Sequence, residues 1–77
     1  MAEQGNPKAQ SVLGKMYRKG QGVARNPSQA FMWFSLAATR GYAVAAGARS
    51  LMATTMTAAQ IADAEQLVRE WKPSLIR

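Results

Sequence analysis

A chain of 77 residues makes one small domain, and its lack of cysteine and histidine removes disulfides, thiolate metal sites and the commonest general base. A fold of this size buries only about 60–65% of its unfolded surface, so its stability is thin. The net charge of +6 is uneven: Lys8, Lys15, Arg18, Lys19, Arg25, Arg40 and Arg49 face only Glu3 in residues 1–57, whereas residues 58–77 balance. Such a basic excess suits an acidic protein surface, a nucleic acid or an anionic membrane. Met1 to Gly5 has neither the basic nor the apolar region of a signal peptide. The nearly unbroken apolar run Ala30 to Ala38 is too short to span a bilayer.

In chain order, Asn6-Pro7 opens a first helix, with Asn as N-cap and Pro where the missing N–H costs nothing. Ala9, Val12, Leu13, Met16 and Tyr17 then form an apolar stripe, and Gly20 stops the helix. Gly14 inside it costs about 1 kcal/mol relative to Ala, which close approach of another helix would offset. Asn26-Pro27 opens a second helix with the stripe Ala30, Trp33, Phe34, Ala37 and Ala38, closed by Gly41. Phe31, Met32 and Leu36 lie off that stripe, so this helix is expected to be buried on more than one side.

A third helix, roughly Ala43 to Thr55, turns Val44, Ala45, Ala48, Leu51 and Met52 inward, and Gly47 weakens it. Thr57, with Gln60 three residues on, starts a fourth as a capping box. Ile61, Ala64, Leu67, Val68 and Trp71 face inward there, Glu65 and Arg69 are spaced to pair, and Lys72-Pro73 ends it. No strand pattern appears. Leu13, Tyr17, Trp33, Phe34, Leu51, Ile61, Leu67 and Trp71 are expected to supply most of the packing energy.

Gly5 and Gly41 stand 36 residues apart in matching surroundings, and Ala9 falls on Ala45. Two helices per unit at such a period mean an α-solenoid. Ala9-Gln10, Leu13-Gly14, Tyr17, Gly20-Gln21-Gly22-Val23, Ala30, Trp33, Ala37-Ala38 and Gly41 together resemble the Sel1-like repeat, a relative of the tetratricopeptide repeat. The resemblance covers residues 5–40 as an intact repeat and 41–72 as a degenerate one with a C-terminal capping helix, within a single domain 1–77. It implies an all-α, right-handed superhelix of two antiparallel helix pairs, the last helix a cap. Ala2 to Gly5 reads as the end of an earlier repeat, so the chain is expected to be the C-terminal piece of a longer bacterial solenoid, soluble in cytoplasm or periplasm. The rival is a natural mini-protein with a frayed start. In the first case the exposed N-terminal end favours self-association.

Chemistry-bearing patterns are few. Gly20-x-Gly22 lacks the strand and the Gly-Lys-Ser/Thr of a phosphate loop and reads as an interhelical turn. Trp33 and Phe34 read as core, and the methionines as gap-fillers. Asp63 and Glu70 share a solvated face, and no histidine activates a serine or threonine. No enzyme, cofactor or metal site is expected.

The functional candidate is a basic stripe, Lys8, Ser11, Lys15, Arg18 and Lys19, along one side of the first helix. The resemblance implies that this helix lines the concave groove, with Arg49 extending the stripe. The expected function is a non-catalytic scaffold or adaptor binding an acidic protein or peptide. The alternative is a nucleic acid or anionic surface on the same Lys/Arg stripe.

Overall fold

The computed structural model describes residues 6–71. These form α1 (Pro7–Lys19), α2 (Pro27–Thr39), α3 (Ala43–Ala53) and α4 (Ala58–Glu70), with no strand among the described residues. The Ala2 to Gly5 segment, with the Gly5 counterpart of Gly41, and the Lys72-Pro73 stop lie outside them.

The local signals act as their chemistry requires. Asn6 Oδ1 accepts from the Ala9 N–H, and Asn26 Oδ1 from the Gln29 N–H, each at 3.1 Å. Each asparagine thereby satisfies a donor that a helix start leaves open. Thr57 and Gln60 close the full capping box, with Gln60 Oε1 accepting from the Thr57 N–H at 3.0 Å and Thr57 Oγ1 from the Gln60 N–H at 3.1 Å. Between α1 and α2, Gly20 at φ 74° and Gly22 at φ 76° supply left-handed turns. The Asn26 N–H then reaches the Tyr17 carbonyl at 3.0 Å, which folds α2 back along α1.

The close helix–helix approaches all involve α2: with α1, with α3 and with α4. Helix α2 runs antiparallel to α1. It is antiparallel to α3 as well, since Tyr42 bonds back to Ala37 near one end while Arg49 reaches Ser35 further along. It is parallel to α4, because Ser28 bonds to Gln60 and Trp33 meets Trp71. Two antiparallel pairs result, and their shared centre is α2. Every residue from Ala30 to Ser35 is buried, as the apolar residues off its main stripe require.

Small residues on the surrounding helices receive the aromatic side chains of α2. Phe34 is wholly buried among Ala30, Phe31, Ala37, Ala45, Met52 and Ala64. A Cβ placed on Gly14 would lie 2.8 Å from Cε1 of Phe34. That is the close approach expected of Gly14. Gly47 differs, because a Cβ there would meet nothing within 4 Å. A second cluster joins Met32 and Trp33 to Leu13, Tyr17, Leu67 and Trp71, with the two indoles edge to face at 6.1 Å and 77°.

Two expected faces are rotated. On α1 the contact line runs through Gln10, Ser11 and Gly14, while Val12 is 49% exposed. On α3 only Ala45 and Met52 are buried, and Val44 and Leu51 point outward at 61% and 66% exposure. Leu51 therefore leaves the set of core residues. Helix α3 ends at Ala53, two residues short of the expected Thr55. On α4, Glu70 accepts a hydrogen bond from Gln66 at 3.0 Å rather than Glu65 pairing with Arg69.

The two glycines should respond oppositely to alanine. Gly14→Ala pushes a methyl group into a ring that has no room to retreat and should destabilise by about 1–3 kcal/mol. Gly47→Ala adds helix propensity in open space and should stabilise by about 0.5–1 kcal/mol. Urea denaturation of both variants checks the pair; a Gly14→Ala protein as stable as the parent would contradict the packing described.

Candidate functional site

Eleven of the fourteen charged side chains fall among the described residues, and the basic candidates occupy three settings. Lys8, Lys15 and Lys19 are exposed on the side of α1 turned away from α2, with Val12 between them. Their spacing of seven and four residues puts them on one edge of the helix. Ser11 does not join that row. It is 3% exposed, on the buried side near Gly14.

Arg18 turns from the lysine row toward α3. It lines a groove of about 670 Å³ together with Arg25, and Ala48, Leu51, Met52 and Met56 supply apolar lining. Arg25 Nε donates to the Arg18 backbone carbonyl at 3.2 Å, which ties the Arg25 side chain to the end of α1. The Nε of Arg18 is buried without a hydrogen-bond partner. Such an unmatched donor costs about 1–3 kcal/mol, more when charged. No acidic residue lines this groove: Glu65 lines a hollow beside Arg49 and Arg69, and Asp63 and Glu70 line another beside Asn26.

Arg49 is the third setting, and it corrects an expectation. It does not extend the α1 row. Its Nε donates to Ser35 Oγ at 2.9 Å, and its guanidinium carbon sits 5.0 Å from the Phe31 ring centroid. It ties α3 to α2 through a cation–π contact and a hydrogen bond. Arg25, by contrast, was missed from sequence. The signal available was the six-residue Gly20 to Arg25 connection, whose glycines turn the chain back on Tyr17 and so return an arginine to the end of α1.

The 36-residue offset also carries Ala9, Val12 and Met16 onto Ala45, Ala48 and Met52. Those α3 positions face α2 and are buried or half-buried, whereas Val12 is half exposed on α1. Of these α1 equivalents Val12 is open, while Ala9 packs against the Met32 and Trp33 cluster and Met16 is half-buried.

A family model described as the Sel1 repeat matches residues 7–42, from the first residue of α1 to the residue before α3. Over these residues the chain is similar to the Sel1 repeat. No curated protein and no solved structure matches it. The Sel1 repeat is a non-catalytic helical module that mediates protein–protein interaction. Its repeat-defining glycines and aromatics are accounted for by packing: Gly14 by Phe34, Gly20 and Gly22 by the turn, Trp33 by Trp71. Among the described residues, no helix is long and apolar enough to cross a membrane.

Because Arg49 is a structural tie, Arg49→Ala should cost about 1–3 kcal/mol, from the lost cation–π contact and an unsatisfied Ser35 hydroxyl. Lys15→Ala, on the exposed row, should change stability by less than about 0.5 kcal/mol. Thermal melts of the two variants test this; equal melting points would return Arg49 to the candidate binding residues.

Proposed function

We infer that this chain is a protein-interaction module that holds an acidic partner segment on the basic side of α1, as part of a scaffold or adaptor. The observation that carries this reading is the segregation of charge. Lys8, Lys15 and Lys19 form an exposed row with no acidic residue among them, and Arg18 continues it into the groove beside α3. An arrangement of one sign raises the encounter rate with an oppositely charged partner and fixes its orientation more than it adds raw affinity. Apolar contact must supply the rest, and Val12 and Leu51 are the exposed apolar side chains beside these cations.

A nucleic acid is the competing ligand, since the same charges would neutralise phosphates. It is disfavoured because Trp33, Phe31 and Phe34 are buried and Trp71 packs against Trp33, which leaves little aromatic surface for base stacking from these rings. The exposed Val12, which the 36-residue offset matches to the α2-facing Ala48, supports a second use of the same end of the molecule. A further helical layer, including that of another copy, would cover Val12 as α2 covers Ala48.

The test uses an acidic peptide array and a random-sequence DNA duplex as probes, with the triple variant Lys8→Glu, Lys15→Glu, Lys19→Glu as control. Acidic peptides should bind the parent, and the triple variant should bind them about ten-fold more weakly with an unchanged melting point. Equal binding by parent and variant would remove the lysine row from the site. Preferential duplex binding with an affinity falling by orders of magnitude between 50 and 200 mM salt, about 10³ or more for six phosphate contacts, would replace the proposal with nucleic-acid recognition. Sedimentation equilibrium on the same samples should show reversible self-association that Val12→Glu abolishes; a strict monomer at all concentrations would exclude the self-docking use.

A further inference from the structure

The groove between the end of α1 and α3 has a composition more specific than a basic surface. Its charged lining is made by Arg18 and Arg25, with Arg25 Nε bonded to the Arg18 backbone carbonyl. Its lining on α3 and beyond is largely apolar: Met52 is buried, Ala48 and Met56 are half-buried, and Leu51 is 66% exposed. Arg18 and Arg25 both line this groove and no carboxylate does, although Asp63, Glu65 and Glu70 are all within the same small domain. Two like charges in a partly desolvated setting repel, and a bound anion relieves that repulsion. One edge of Arg18 has already lost its water, since its Nε is buried and unpartnered. Part of the desolvation that ion pairing requires has therefore occurred before any ligand arrives.

We propose that this groove is a binding site for a peptide segment that carries a carboxylate beside an aliphatic side chain, the carboxylate on Arg18 and Arg25 and the aliphatic group against Leu51, Met52 and Met56. It deepens the protein-interaction reading and rests on it. A planar guanidinium donates two parallel N–H bonds to a carboxylate, which a lysine cannot match, and this distinguishes the groove from the lysine row outside it. Methionines beside the leucine give a wall that adapts to more than one aliphatic shape. In an extended peptide, residues two apart point to the same side about 6.5–7 Å apart, so Glu and Leu at alternate positions suit the charged and apolar walls together. Thr57 and Gln60, whose side chains and backbone form the α4 capping box, add polar lining to the groove.

The probe is an acetylated and amidated nonapeptide with one Glu and one Leu at alternate positions, alongside its Glu→Gln and Leu→Ala forms. Nuclear magnetic resonance on the isotopically labelled full chain reads the side-chain Nε–H signals of Arg18 and Arg25 and the methyl signals of Leu51, Met52 and Met56. Saturable shifts should appear at these five residues. The Glu→Gln peptide should bind about ten-fold more weakly, and so should the parent peptide to Arg25→Gln or to Leu51→Ser. Leu51 is exposed, so Leu51→Ser keeps the fold and isolates the contact. Shifts confined to Lys8, Lys15 and Lys19, or equal binding of the Glu and Gln peptides, would overturn the groove while leaving the basic-row reading intact. No binding of any acidic peptide would overturn both, and tighter binding of a DNA duplex at the same arginines would assign the groove to phosphate.

Discussion

The contact between the Phe34 ring and the backbone of Gly14 sets the geometry of this molecule. A side chain at position 14 would stand 2.8 Å from the ring, so only glycine lets α1 come this close. Full burial of a phenylalanine contributes about 1.5–3 kcal/mol, enough to offset the roughly 1 kcal/mol that a mid-helix glycine costs. The same logic recurs around α2. Large side chains sit on the central helix, and glycine or alanine sits where each neighbour meets it: Gly14 on α1, Ala45 on α3 and Ala64 on α4. Because α2 touches every other helix, one buried element carries most of the stabilising contacts of a chain too short to build a second core.

This explains which parts were legible in the sequence. Helix starts depend on the residue itself, so Asn6, Asn26 and Thr57 could be read directly, as could the left-handed turns at Gly20 and Gly22. Helix α2 was legible as well, since an element apolar all round has nowhere to go but the centre. The faces of α1 and α3 were not. Hydrophobic periodicity ranks Val12, Val44 and Leu51 above Gly14 and Ala45, yet close packing against bulky rings selects for small size. On α1 the contact line therefore moved onto Gln10, Ser11 and Gly14, on α3 it narrowed to the expected Ala45 and Met52, and Val12, Val44 and Leu51 were left outside.

The candidate site follows the same division. Net basicity of α1 was plain from Lys8, Lys15, Arg18 and Lys19. The split of that row was not, because it depends on the direction in which each residue leaves a helix whose buried side had been misplaced. Ser11 fell inside with the rotation, and Arg18 turned into the groove. Arg49 was drawn to Phe31 and Ser35 because an arginine on a first-of-pair helix can face either the groove or α2, and only packing decides. Arg25 sits in a connection, where direction is set by the turn rather than by helical period. The pattern that defines the Sel1 repeat thus builds the frame, and the residues it ignores define the surfaces available to partners.

The central claim is that α2 holds the fold and the other helices lean on it. Native-state amide hydrogen exchange as a function of denaturant tests this most directly. The account predicts that amides of residues 31–38 exchange only through global unfolding, whereas α1, α3 and α4 also open in smaller steps that cost less. Independent global protection in α3 and α4 while α2 opens locally would contradict it.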